Sequence, residues 1–447
     1  MKPRPTSTDA QFQLFQAHFD QLLNLDHPLV VLADRIDWQR FDVALADCYC
    51  PDNGAPAKAI RLLVGLHYLK HAFNESDASV LERWVENPYW QYFCGFTHMQ
   101  HEAPLHSTSL TTWRGRVGAE KLAELLQETI ALAVREKQVT PQELRQVTVD
   151  STVQEKNITY PTDSKLYCQA LKKLSQAAKS RGIKLRQTYL RVSKKAAIQA
   201  GRYAHAKQFK RMRKQLRKLK TWLGRVIRDV RRKVPEPDLT LTELLTLCER
   251  LHQQQPTDKQ KLYSLHEPEV VCISKGKARQ RYEFGQKISF ATSNRGNWIV
   301  SADLCEGNPY DGHTLAATLQ SVETNTGLAV TDAYVDKGYR GHDYQGSATV
   351  HIAGSSKTGV SKAKQKRRRR RSAIEPKIGH LKSDHRLGRC FLKGLAGDAI
   401  NAILAAAGSN LLKLLRRVVR ALIFTLLRWL STRMAAPKAP QFQPVAA

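Results

Sequence analysis

Val147-Thr-Val-Asp-Ser-Thr-Val153 is the stretch on which the reading of the fold turns. Its β-branched residues predict a strand, and Asp150 stands inside it. A turn is the ordinary home of an aspartate, but Val147, Val149 and Val153 argue against one here. A carboxylate in a buried-type strand is costly unless it has a partner or ligates a cation. Upstream, a helix is expected over roughly 119–137. Downstream, Val270–Ser274, Lys287–Ser293 and Trp298–Leu304 read as further strands. A helix over Asp311–Val322 and a strand within Gly327–Tyr339 follow them. Asp311 is expected to act as an N-cap, and His313 either to sit near a site or to face solvent. Strands alternating with helices place the chain in the α/β class.

The 447 residues suggest about two or three domains. Seventy-one Lys and Arg against 40 Asp and Glu leave a formal net charge of +31. Hydrophobic residues at 42% exclude wholesale disorder and a fibre, so the charge asks for a polyanion, with nucleic acid first. A membrane is not expected as partner. Residues Met1–Gln13 carry no signal core, and Ala421–Leu427, bounded by Arg420 and Arg428, is far short of the roughly 20 apolar residues of a spanning helix. Eight cysteines without a CxxC pair fit a reduced cytoplasmic protein. Cys94, His98, His101 and His106 match no standard zinc spacing.

Positive charge concentrates between Lys179 and Lys233, where 21 Lys and Arg face a single acid, Asp229. Leu216, Leu219, Leu223, Val226 and Val230 recur there at helical intervals, and Gly201 and Gly224 are expected to break the run into two or three helices. Such a face repels itself unless anions neutralise it, so Lys210, Arg211, Arg213, Lys214, Arg217 and Lys218 are candidate contacts to DNA phosphates. Nearer the N-terminus, helical patterns from Ala59, from Asn74 and over Thr108–Gly118 form a possible helix-turn-helix unit, with Arg114 and Arg116 as DNA contacts; an ordinary helical subdomain is the alternative. Gly354–Lys366 is expected to be a mobile loop and 434–447 a disordered tail, with a long amphipathic helix over 396–433 between them.

Three acids stand out by position: Asp150 in the first strand, Asp336 at the end of a later one, and Glu375 at the start of a helix. Three hard oxygen donors suit Mg²⁺ or Mn²⁺. Two such ions can serve phosphodiester displacement. Asp332 rivals Asp336, since strand alternation sets both on one face. Glu375 has a structural alternative, because Ser372-Ala-Ile-Glu375 fits a capping box.

VTVDSTV (147–153), YVDKGYRG (334–341) and RRSAIEPKIGHLK (370–382) resemble the three active-site motifs of bacterial insertion-sequence DDE transposases, nearest to the insertion-sequence-five (IS-five) family. ENPYWQYFCG (86–95), STVQEKNITYPTDSKLY (151–167) and NPYDGHTL (308–315) are similar in style, so the resemblance covers about 58–415. It implies Asp150, Asp336 and Glu375 as the catalytic, metal-binding triad, with two Mg²⁺ or Mn²⁺ ions. It also implies DNA-facing Arg371 and Lys382; the tyrosine of the family's Y-x₂-R-x₃-E-x₆-K signature is replaced by Arg368, itself a candidate DNA contact. The implied fold is a ribonuclease-H-like core with a mixed sheet (141–164 and 257–395), interrupted by a basic helical insertion (165–256). An N-terminal segment (1–57) and an all-helical, helix-turn-helix-like domain (58–140) precede it. The implied activity is cleavage of transposon ends and joining of the 3′-hydroxyls to target DNA, by a protein dimeric on double-stranded DNA in the bacterial cytoplasm, at the nucleoid. A non-catalytic DNA-binding relative and a nuclease on the same fold remain alternatives.

Overall fold

The first strand, β1 (Gln146–Lys156), lies in the middle of a seven-stranded mixed sheet. In the computed structural model, residues 17–50, 56–274, 281–354 and 361–434 are described, with 420–434 as backbone only. Eight helices precede β1: α1 (Phe19–Leu22), α2 (Pro28–Arg35), α3 (Trp38–Ala44), α4 (Ile60–Ala72), α5 (Ser79–Glu86), α6 (Pro88–Phe93), α7 (Ser107–Arg135) and α8 (Pro141–Leu144). The insertion follows as α9 (Asp163–Ser180), α10 (Leu190–His205), α11 (Phe209–Lys233) and α12 (Leu239–Gln253). The sheet resumes with β2 (Val271–Ser274), β3 (Tyr282–Ser293) and β4 (Ile299–Cys305), then α13 (Asp311–Thr326), β5 (Asp332–Val335) and β6 (Thr349–Ile352). The chain goes on through α14 (Lys362–Arg369), α15 (Ile374–Asp384), β7 (Arg389–Cys390) and α16 (Gly394–Met434).

β3 pairs antiparallel with β1 on one side and with β4 and β2 on the other, while β5 and β6 continue the sheet parallel to β1. This mixed order is compatible with a ribonuclease-H-like core. The strand expected within 327–339 is shorter than its sequence pattern, only Asp332–Val335. β6 and the two-residue β7 were not foreseen, because neither is long enough to show a period.

One continuous apolar core joins the N-terminal helices, the sheet, α13, α15 and α16. A second core lies within the insertion and the segment just after it, where Leu171, Leu219, Leu223, Val230 and Leu245 are buried together with Leu262. α10 and α11 are separated at 206–208, where Lys207 takes φ +55°. Gly201 and Gly224 are inside helices, not at the breaks expected of them. At Gly224 the reason is close packing: a Cβ would come 2.6 Å from His252 Nε2 on α12. Part of α16, Gly394–Val419, is long and apolar enough to cross a bilayer, which the sequence reading did not anticipate. Most of it is buried, packed on α4, α7 and β4 as a core helix. The expected mobile loop begins in residues outside the described set (355–360), but its end, from Lys362, is the start of α14. Of the expected tail (434–447), Met434 is the last residue of α16 and 435–447 lie outside the described residues.

Three histidines are sealed where α4 meets the C-terminal end of α15. His385 Nδ1 lies 2.8 Å from His71 O, and His67 Nδ1 2.7 Å from Leu63 O. Burial pushes His67 down to about 3, His385 to about 4, and His71 well below its ordinary value. All three are therefore neutral when folded, whereas the unfolded chain takes up protons below about pH 6.5. More protons on the unfolded state means stability that is full above pH 6.5 and lost as pH falls toward 4. Urea unfolding should show a loss of several kcal/mol between pH 7 and pH 5, at about 1.4 kcal/mol per histidine per pH unit. His385→Asn should reduce that slope.

Candidate active site at the strand ends

β1 and β5 run parallel, with Thr148 opposite Tyr334. The parallel pairing stops at that pair; carried two residues further, its register makes Asp150, inside β1, the counterpart of Asp336, just beyond the end of β5. Asp336 accepts a hydrogen bond from Gly338 N at 2.8 Å and so caps the 3-10 turn Lys337–Tyr339. α15 packs on β1 and carries Glu375 in its first turn, with the side chain 61% exposed. Arg371, one turn earlier, is ion-paired with Glu375, and its Nη1 lies 3.9 Å from Asp336 Oδ2. The guanidinium thus stands between two of the three acids. The capping box that was the alternative role for Glu375 does not form: Ser372 lies in a 3-10 turn and donates to Arg369 O.

Asp311 belongs to this neighbourhood, contrary to the expectation that it would be an N-cap. The N-cap position is Tyr310, and Asp311 Oδ1 instead accepts from Ser151 Oγ at 2.8 Å and Lys287 Nζ at 3.1 Å. A Cβ on Gly338 would lie 3.0 Å from Asp336 Oδ1 and 3.3 Å from Asp311 Oδ2, so the two carboxylates flank this turn closely and would have to give way to a side chain there. The buried Tyr339 phenol senses the same cluster. Burial first, then Asp311, Asp150 and Asp336, hold its pKa well above the ordinary range. Sequence reasoning made Asp311 a helix cap and passed over Lys287; the signal available was the NPYDGHTL stretch itself, which falls at a strand-to-helix connection. His313 is exposed, edge-on to Tyr310.

Asp332 is placed elsewhere. It is level with Gln146, pairs with His351 Nε2 at 2.7 Å, and sits four residues, about 13 Å, up the chain from Asp336. The strand register therefore separates two aspartates that alternation alone could not.

The carboxylates Asp150, Asp336 and Glu375 are hard oxygen donors and in that respect fit a divalent cation. Among the described residues, however, no three His, Cys, Asp or Glu side chains gather closely enough to hold a metal ion. Glu375 is turned onto Arg371 and would have to leave it to join the two aspartates.

The candidate DNA contacts divide by exposure. Lys210, Arg211, Arg213, Lys214, Arg217 and Lys218 are all exposed on α11, and Arg116 is exposed on α7. Arg368 and Lys382 are half-buried, at the ends of α14 and α15. Arg114 does not face solvent at all. It is 2% exposed, grips Asp77 through both terminal nitrogens at 2.9 and 2.6 Å, and reaches His67 at 3.2 Å. Its helix turns Trp113, Arg114 and Val117 inward, so this arginine holds the helical domain together. Cys94 is buried and His106 caps α7.

Residues 17–116 match a transposase domain (DUF772), and residues 334–415 match a transposase DDE domain. Over 210 residues, 47% of this chain and all of the relative's length, the sequence is 50% identical to a Rhizobium meliloti protein described as "Uncharacterized protein ORF8 in nfe locus". No solved structure matches. Both matched regions are transposase domains, and together they support a DDE-type insertion-sequence transposase. The transposase DDE match spans Asp336, Arg371, Glu375 and Lys382, while Asp150 and the basic insertion fall outside both matched regions.

Arg114→Ala should destabilise the transposase by roughly 2–4 kcal/mol in urea unfolding, below the full range for a broken buried pair because Lys70 remains on Asp77 at 2.7 Å. Duplex affinity of the folded variant should be unchanged. A selective loss of DNA binding at normal stability would return Arg114 to the DNA surface.

Proposed function

We propose that this protein is a transposase of the insertion-sequence-five type. It binds the terminal inverted repeats of its element, cleaves the DNA ends by metal-dependent phosphodiester hydrolysis, and joins the 3′-hydroxyls to target DNA. The observation that supports the reading is the parallel register of β1 and β5, which, carried two residues past its last pair, makes Asp150 the counterpart of Asp336, with the helix of Glu375 packed on β1. Asp150, Asp336 and Glu375 would hold Mg²⁺ or Mn²⁺, two ions in all. Bound there, such ions activate an attacking water or hydroxyl and stabilise the leaving oxygen.

The remaining steps belong to the chain's own side chains. Arg371 neutralises Glu375 and stands by Asp336 until a phosphodiester enters, then turns to the phosphate with Lys382. Lys287 fixes Asp311 beside the site and keeps that fourth carboxylate charge-balanced. The exposed face of α11 follows the DNA backbone, and Arg116 with Arg368 adds contacts outside the insertion. Two ends must be brought together, so the protein works as a dimer on double-stranded DNA, in the bacterial cytoplasm at the nucleoid.

The test uses duplexes carrying the element's own ends with Mg²⁺. Asp150→Asn, Asp336→Asn and Glu375→Gln should each fold and bind DNA but lose nicking by roughly 10²-fold or more, about 3 kcal/mol of barrier. Asp332→Asn should keep it. Activity surviving in Asp336→Asn and lost in Asp332→Asn would move the second acid. For the insertion, the logarithm of affinity against the logarithm of salt should be steep. Changing the six exposed cations of α11 to Gln should flatten it by about 0.9 per phosphate contact removed. An unchanged slope would make that face merely solvated.

A further inference from the structure

A second gathering of cations lies on the other side of α15. Glu375 and Lys377 are two residues apart, about 200° around the helix, so Lys377 turns from the strand ends toward α16. There a cavity of about 290 Å³ opens between α15, α16 and the turn joining β3 to β4, and its wall carries Lys377, Lys413, Arg416 and Arg417. Lys377 Nζ donates to Ser409 Oγ at 2.7 Å, Lys413 to the carbonyl of Gly296, and Arg417 to Gln138. All these acceptors are neutral. Among the described residues none of the four cations is ion-paired with a carboxylate, and the acid on the wall, Asp384, is taken by His380 at 2.9 Å.

Apolar packing has no use for this arrangement. Lys413 Nζ is held 4.1 Å over the Trp298 ring, and Arg417 5.4 Å from it, which fixes both near the turn. Burial, together with the charges of Lys377 and Arg417, pushes the Lys413 amine down to about 6, and Glu143 opposes this more weakly. Like charges gathered at one partly enclosed place, with N–H donors to spare, are what a tetrahedral oxyanion completes. Arg416 is exposed at the rim, where a polymer can pass.

We propose that this cavity is a phosphate-binding site, filled by a backbone phosphate of a DNA strand running over the outer side of α15. This rests on the transposase reading; free phosphate shares the chemistry and is the other source. The first arm of the test measures thermal unfolding of the full chain in inorganic phosphate against chloride at equal ionic strength. The wild type should gain melting temperature in phosphate. Lys413→Gln should lose most of the phosphate increment, because the anion draws a proton onto this amine and glutamine cannot take one. A lower melting temperature with the increment intact would make Lys413 structural and overturn the site. Arg416→Gln, at an exposed position, gives the same reading if Lys413→Gln folds poorly.

The second arm measures duplex binding against salt. Lys413→Gln and Arg416→Gln should each lower the slope by about 0.9 if one phosphate is held there. A phosphate increment with an unchanged DNA slope would assign the cavity to a free phosphorylated ligand and overturn the DNA occupant. If the wild type binds no duplex at all, the transposase reading fails, while the first arm still decides the cavity.

Discussion

The structure depends on holding a carboxylate in the middle of a strand that is paired on both sides. β1 is bonded along most of its length to β3, at its start to β5 and at its end to β7. Parallel pairing with β5 stops at Thr148, and the opening after it leaves Asp150 half-buried. A slip of one residue would turn Asp150 to the opposite face. The far end of β1 guards against that slip. Lys156 is buried there with Asp398 at 2.8 Å and Glu267 at 3.2 Å, while Gln154 donates to Asp398 and accepts from Asn401. Such a buried network adds little net stability over an apolar core, but breaking half of it leaves an uncompensated charge. We read it as a register pin between β1 and α16.

Charge is sorted by location. The insertion has its own apolar core, so α11 can turn its cations outward without help from the sheet. In the helical domain and at the strand ends, by contrast, cations are matched to acids: Arg114 and Lys70 to Asp77, Lys287 to Asp311, Arg371 to Glu375. The cavity behind α15 departs from that pattern among the described residues, and this is why it carries meaning.

Much of this was legible in the sequence, and the limits have physical causes. The strand around Asp150, the helix of Glu375 and the outward face of α11 all follow from local pattern, and the two helices expected over 108–118 and 119–137 are α7, interrupted at Gly118 with φ +77°. Long-range partners do not. Arg114 and Arg116 are alike in sequence, yet two residues of helix put one on Asp77 and the other in solvent. Asp311 was expected to cap its helix because local rules favour that, and a strand lysine more than twenty residues earlier captured it instead. Asp332 and Asp336 share a strand face, and only the pairing with β1 distinguishes them. The helix breaks expected at Gly201 and Gly224 failed because glycine there serves packing or simply sits on an open face.

The central claim is that Asp150, Asp336 and Glu375 form one divalent-cation site. Fe²⁺ in place of Mg²⁺, with ascorbate and peroxide, generates hydroxyl radicals at the metal and cuts the backbone beside it. Mapping the fragments of DNA-bound protein should give cuts close to Asp150, Asp336 and Glu375, all suppressed by excess Mg²⁺ and lost in Asp150→Asn. Cuts clustered around Asp332 and His351 instead, or none that Mg²⁺ suppresses, would contradict it.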